Sequence, residues 1–199
     1  MASGKDLACK ILKKREPKAH IFHADKAAHQ LYQPGSLTTR ALVRHFGKEI
    51  LRPNGAINRK KLGRIVFADP RKLKILNQLT HGLLKKMLAG EIQVARKKQI
   101  PLLMVNAALL HTIPIHTLVD FSWSITAPEP VRMTRLMKRR GLSSAEIQER
   151  IQAQRAIPFS CAKCRPIQNS GTAAQFVQKI RTAYNDMIRT WENSSSKPR

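Results

Sequence analysis

Apolar residues recur every three or four positions through much of the first half of the chain: Leu37, Ala41, Leu42 and Phe46, then Leu62, Ile65 and Val66, then Leu73, Leu76, Leu79, Leu83 and Leu84. That period lines them up along one side of successive helices. Residues 7–15 read as an opening helix that Pro17 stops, and a short apolar pair, Ile21-Phe22, follows. Two longer apolar runs, at 100–105 and 118–125, are of strand length and bounded by Pro or polar residues, so they predict buried strands. Between Ile21-Phe22 and the first of these runs the chain reads as helix almost throughout. Pro34-Gly35 and Pro53-Asn54-Gly55 supply turns, and Asp69-Pro70 starts a helix with Asp69 as its cap.

Beyond the second run, Pro128-Glu129-Pro130 opens a very basic helix over 131–140, which Gly141 ends. Ser143-Ser144-Ala145-Glu146 reads as a capping box for another helix reaching about residue 154. A last helix starts at Thr172, with Gln175 completing its own capping box. Phe176, Val177, Ile180, Tyr184, Met187, Ile188 and Trp191 then form one stripe, expected to be core throughout. The Ser-rich tail from 192 to 199 is expected to fray. A helical lobe is thus inserted into a strand-and-helix framework.

Charge changes this picture more than length does. The 199 residues hold 37 Lys and Arg against 12 Asp and Glu, a formal charge of +25, and their 42% hydrophobic content suffices for one compact domain with a smaller lobe. Such a field draws anions: nucleic acid, an anionic membrane surface or a phosphorylated small molecule. The longest nearly apolar run, 100–110, is broken by Pro101 and Asn106 and is far shorter than the roughly 20 residues that span a bilayer. The first residues carry no apolar signal segment, and three Cys do not make a disulfide framework, so a cytoplasmic chain without membrane contact is expected. Cys161-Ala162-Lys163-Cys164 has zinc-like spacing, but no second pair or nearby His completes four ligands. His81, between apolar helix positions, reads as a packed, hydrogen-bonded residue.

The most informative tripeptide is Ser3-Gly4-Lys5, directly before a helix. Phosphate loops need Gly where the backbone approaches phosphate, Lys to reach the β and γ phosphates, and a helix N-terminus whose N–H groups face the anion. In the full pattern, G-x-x-x-x-G-K-[ST], the first Gly would precede Met1. Either Met1 stands inside the loop and a short apolar strand ending in Gly precedes it, or the tripeptide is accidental.

The order of segments along the chain resembles the dephospho-coenzyme A kinase family. The family's Ala-Ser-Gly-Lys-Ser and Asp-Ala-Asp segments correspond to Ala2-Ser3-Gly4-Lys5-Asp6 and His23-Ala24-Asp25. Its Pro-Gly, His-Phe-Gly and Asp-Gly turn followed by Arg correspond to Pro34-Gly35, His45-Phe46-Gly47 and Asn54-Gly55 with Arg59. Phe67-Ala68-Asp69-Pro70 and Leu76-Asn77-Gln78-Leu79-Thr80-His81 match its next two motifs, and Ala107-Ala108-Leu109-Leu110-His111 is a degraded form of a third. Its lid helix is similar to the stretch from Val131 through Arg135 to Arg139, and Arg150-Ile151-Gln152-Ala153-Gln154 and Asn169-Ser170-Gly171-Thr172 complete the series.

The resemblance implies an α/β fold of the P-loop nucleotide-kinase type, a parallel sheet with a helical substrate-binding insertion and a helical lid. Its nucleotide-binding core would comprise residues 1–27, 100–126 and 162–199, its dephospho-CoA lobe 28–99 and its lid 127–161. The implied reaction moves the γ-phosphoryl group of ATP to the ribose 3′-hydroxyl of dephospho-coenzyme A, the last step of coenzyme A synthesis. Asp25 would be the base, Lys5 would hold the β and γ phosphates, and Arg135 and Arg139 would clamp them. Ala2, Ser3, Gly4, Lys5, Asp6, Asn169 and Gly171 would bind the nucleotide, with Asp6 toward magnesium. Asp6 stands where the family has a hydroxyl residue, His23 replaces the first Asp of its pair, and His111 replaces its Glu. ATP and dephospho-CoA are then the partners, with no specific nucleic acid and a monomer expected.

Plainer readings compete residue by residue. By itself Asp25 would be a helix cap, and Arg132, Arg135, Lys138, Arg139 and Arg140 a solvated face. The rival function is a kinase fold that has lost catalysis and binds RNA or another polyanion. Against it, Phe, Trp and Tyr make up only 5% of the chain, too few for a base-stacking platform.

Overall fold

The structure is a computed structural model and describes residues 2–107, 116–140, 147 and 164–195. In chain order its elements are α1 (Lys5–Arg15), β1 (His20–His23), α2 (Ala24–Gln30), α3 (Leu37–Phe46), α4 (Arg59–Phe67), α5 (Pro70–Lys97), β2 (Leu103–Asn106), β3 (Ser122–Thr126), α6 (Glu129–Arg140), β4 (Cys164–Gln168) and α7 (Ala173–Ser195). The chain divides into two compact units, Met1–His20 with Val119–Arg199, and Ile21–Leu118. No helix of the described residues is long and apolar enough to cross a membrane.

In the first unit β3 and β4 run parallel, in register from Ser122 opposite Cys164 to Thr126 opposite Gln168. The Asn169 N–H extends the ladder by donating to the Thr126 carbonyl at 2.7 Å. α7 starts as its sequence predicts. The Thr172 hydroxyl accepts from the Gln175 N–H at 3.2 Å, while the Gln175 side chain accepts from the Thr172 N–H at 2.9 Å, a reciprocal capping box. Phe176, Ile180, Ala183 and Tyr184 are buried on its inner face, and α1 packs there with Ala8 and Leu12. Burying Phe176 or Ile180 contributes about 1.5–3 kcal/mol each.

The expected stripe is core only in part. Trp191 is 48% exposed and meets Phe121 edge-on, with ring centroids 6.3 Å apart. The reason is length: α7 has 23 residues and its partner α1 only 11, so at about 1.5 Å per residue α7 outruns the surface it packs against. Helix also continues to Ser195, into the tail expected to fray. The helix predicted from the capping box at 143–146 lies outside the described residues, apart from the buried Ile147.

The second unit pairs β1 with β2, and residues of α2 and α5 pack with them. β2 starts at Leu103, later than the apolar run, because Pro101 has no N–H to give a ladder. α3, α4 and α5 are each capped by a side chain, from Ser36, Asn58 and Asp69 respectively, and Pro70 occupies the start of α5. The 28 residues of α5 serve two clusters. Leu84 and Leu88 close one with Phe22, Ala24 and Ala27, while Leu73, Leu76 and Leu79 lie against another made by Leu42, Phe46, Ile50, Ile57, Leu62 and Val66.

Candidate active site

The loop before α1 is shaped by backbone that only certain residues adopt. Gly4 has φ +106° and is the N-cap of α1, so it brings no side-chain oxygen to compete for the first-turn N–H groups. A Cβ at Gly4 would stand 2.2 Å from Asn169 Nδ2, so glycine is needed for closeness as well as for φ. Lys5 and Asp6 begin the helix, with Lys5 Nζ 3.4 Å from Asp6 Oδ1. The positive end of the α1 dipole and the ammonium group thus face the same end of the helix, an arrangement suited to an anion.

Two side chains from distant parts of the sequence hold this loop. Asn169, 4% exposed, donates from Nδ2 to the Ser3 carbonyl at 2.8 Å. Arg135 donates to the Ala2 carbonyl at 3.3 Å and to Asn169 Oδ1 at 3.1 Å. Met133 and Leu136, on the same helix as Arg135, pack with Ala2 and Ile147. One turn earlier on α6, Arg132 lies 3.8 Å from Glu129, and its buried Nε has no hydrogen-bond partner among the described residues. Cys9, a turn into α1, has its thiol pushed up to about 11, chiefly by burial and then by the Asp6 carboxylate, with Lys5 opposing. It is a neutral packing residue at ordinary pH.

Asp25 belongs to the second unit. It follows β1 directly, in the first turn of α2, and is exposed. The cap of α2 is His23, which makes no side-chain cap hydrogen bond, so the reading of Asp25 as the cap itself does not hold. One turn on, His29 Nε2 accepts from Arg59 Nη1. His29 is held below its usual value by desolvation and by Arg59, with Asp25 pulling it back up. Tyr32, whose N–H bonds the His29 carbonyl, is raised by burial, while Arg59 and a hydrogen bond with Thr80 pull it down.

The sequence profile of the dephospho-CoA kinase family matches residues 1–190. The chain belongs to the dephospho-CoA kinase family. It is 36% identical over 191 residues to the dephospho-CoA kinase of Moorella thermoacetica, covering 95% of this chain and 89% of the relative. Against that of Dehalococcoides mccartyi it is 38% identical over 154 residues, covering 77% and 76%. Among solved structures, TT1252 from Thermus thermophilus superposes with a TM-score of 0.74 at 23% identity, covering 94% of this chain and 93% of that one. A dephospho-CoA kinase from Campylobacter jejuni gives 0.64 at 23% identity, covering 96% and 94%. The fold is accordingly the α/β P-loop nucleotide-kinase fold. These likenesses favour the kinase reading over the polyanion-binding one.

The family's motif residues distribute unevenly in the structure. Ala2, Ser3, Gly4, Asn169 and Arg135 meet in one hydrogen-bonded cluster, with Lys5 and Asp6 beginning the helix beside it. Gly171 stands just before α7, where a Cβ would lie 2.1 Å from the capping oxygen of Gln175. Arg139 is on α6, but its side chain, like His111 and Cys161, lies outside the described residues. Cys164 is disulfide-bonded, against the expectation drawn from the cysteine count, and no group of three metal-ligating side chains occurs among the described residues. His81 has no hydrogen bond among the described residues, where one was expected. It lines a groove of about 330 Å³ along α5 with Leu73 and Asn77, and desolvation lowers its pKa. The sequence reading missed His29 altogether and gave Arg59 no role; the spacing of four between Asp25 and His29, one helical turn, was the signal available.

Proposed function

We propose that this chain transfers the γ-phosphoryl group of ATP to the ribose 3′-hydroxyl of dephospho-coenzyme A, with Asp25, Lys5 and Arg135 as its working side chains. The single observation that best supports this is the Ser3-Gly4-Lys5 loop at the amino end of α1, its carbonyls held by Asn169 and Arg135. In the reaction the bond from the γ-phosphorus to the β,γ-bridging oxygen breaks as a bond to the 3′-oxygen forms. ADP leaves, and the hydroxyl proton passes to the Asp25 carboxylate. Lys5 and the first-turn N–H groups of α1 neutralise phosphate charge, Arg135 adds a guanidinium, and Arg139 is assigned the same task.

Asp6 fits magnesium. It is an exposed carboxylate in the first turn of α1, and this ion is commonly held by one or two carboxylates with substrate phosphates completing its shell. Asp6 would hold it, and the ion would supply charge neutralisation at the phosphates. We further read the chain as a cytoplasmic monomer. The test is direct: purified protein, ATP, magnesium and dephospho-CoA should give coenzyme A and ADP in equal amounts. ADP release that is indifferent to dephospho-CoA, or no product at all, overturns the reading.

A further inference from the structure

We propose that Asp6 sets which form of the nucleotide the loop accepts: its carboxylate turns away ATP that lacks a divalent cation and admits the cation complex. This rests on the phosphotransfer reading above and deepens it, giving Asp6 a selective role that a hydroxyl at the same position would not have.

The first observation is where the carboxylate stands. Asp6 is the acidic residue of the first turn of α1, the end to which Lys5 and the first-turn N–H groups lend positive charge. Its side chain is 64% exposed, against 30% for Lys5, so it is open to whatever approaches that end. Phosphate brought there without a cation meets an anion. Two unit charges about 4 Å apart repel enough even in water to weaken binding about fivefold, and by more where solvent is partly excluded. A neutral hydroxyl imposes no such repulsion.

The second is the ion pair. Lys5 Nζ lies 3.4 Å from Asp6 Oδ1, so the ammonium assigned to the phosphates already faces a carboxylate of its own chain. The pair is at the surface and weakly held, hence easily exchanged. When Asp6 engages a cation, Lys5 is left to the phosphates. When no cation comes, Lys5 must neutralise Asp6 and phosphate together. Nor does Lys5 cancel the carboxylate locally. The Cys9 thiol, raised chiefly by burial, feels Asp6 more strongly than it feels Lys5.

The third is the number of ligands. No group of three metal-binding side chains occurs among the described residues, and magnesium takes about six oxygens in an octahedral array. Asp6 therefore supplies a single position, and phosphates and water must supply the rest. Asp6 thus reads cation and nucleotide as one ligand rather than holding a cation in advance.

The test is a ratio of dissociation constants. A non-hydrolysable ATP analogue is titrated into the full chain by calorimetry, once with excess magnesium and once with a chelator. The parent should bind at least about 100-fold more weakly in chelator. In Asp6→Asn and Asp6→Ser, binding in chelator should tighten about 10-fold while binding in magnesium stays within about threefold, so the ratio shrinks about 10-fold. Asp6→Glu, which keeps the charge, should keep the parental ratio within about threefold. Should one neutral variant fail to fold, the other and Asp6→Glu carry the same comparison. Unchanged binding in chelator in the neutral variants, or an equal change in both conditions, overturns the selection. So does tight binding of magnesium alone to the parent, which would make Asp6 a standing cation site. A parent that shows the ratio but makes no coenzyme A overturns the activity and leaves the selection standing, and one that binds the analogue in neither condition overturns both.

Discussion

In the first unit Ala2 and Ser3 give their carbonyls to Arg135 and the buried Asn169, whereas in the second Asp25, His29 and Arg59 stand on exposed faces of helices whose backs are packed. The first arrangement builds the proposed nucleotide site out of main chain, and the side chains around it are part of the folded structure. The second mounts chemistry on a scaffold that is stable without it. Substitutions around the loop should therefore change stability and nucleotide binding together. Substitutions around Asp25 should separate them.

The sharpest break of that contrast is Asp25→Asn. It keeps size and much of the hydrogen-bonding shape but removes the proton acceptor, so turnover should fall by roughly 10²–10⁴-fold, the range for a positioned general base. ATP affinity and melting temperature should match the parent, because Asp25 is exposed and assigned to the acceptor. Steady-state kinetics with calorimetry on one preparation check all three quantities. Parental turnover removes the base assignment, and a large drop in melting temperature removes the contrast.

Gly4→Ala is the counterpart in the first unit. The new Cβ would fall 2.2 Å from Asn169 Nδ2 at a φ of +106° that L side chains rarely adopt. Asn169 must then move, and its bond to the Ser3 carbonyl goes with it. A loss of about 1–3 kcal/mol in stability is expected from the backbone term alone. ATP affinity should fall in the same variant. Denaturant unfolding and nucleotide titration measure the pair. A variant of parental stability that has lost ATP would show the loop to be separable from the fold after all.

The two regions also differ in how much of them could be read beforehand. Local signals were legible: Asp69-Pro70 opening α5, the Thr172 and Gln175 box, and the apolar period of α3 to α5 all describe neighbours within a few residues. Contacts that hold the loop are not local. Arg135 lies 133 residues from Ala2, and Asn169 lies 166 from Ser3. No periodicity reports such pairs, and only the family's motif order brought Arg135 and Asn169 into view. His29 and Arg59 are 30 residues apart and join two helices through exposed side chains, so core reasoning does not reach the pair, and the one-turn spacing of His29 from Asp25 is its one local sign. Trp191 shows the opposite error. Its stripe is real, but a helical period tells which face is apolar and not how far the partner surface extends.

The smallest expected effect concerns pH. In the second unit His29 and His81 both have lowered pKa values, first from desolvation and, at His29, also from Arg59. A base whose folded pKa lies below its unfolded value of about 6.5 is bound less tightly by protons in the folded state. Its contribution is present above that unfolded value and is lost as pH falls through the folded one. Among the described residues of the first unit the shifted groups are Cys9 and Tyr184, raised by burial to about 11 and about 12 from 9.0 and 10.0. Their contribution is complete below the unfolded values and is lost as pH rises through the folded ones, and Tyr32 of the second unit shares that direction. Mild acid should therefore loosen the second unit by way of its histidines before these groups disturb the first. Hydrogen exchange, corrected for intrinsic rates and followed from pH 7.5 to 5.5, a window of about one unit to either side of the unfolded histidine value, should show protection falling in peptides from α2 and α5 before those from α1 and α7. In His29→Gln with His81→Gln that difference should shrink. Equal loss in both units, or an unchanged difference in the double variant, would mean that the two histidines do not set the acid limit.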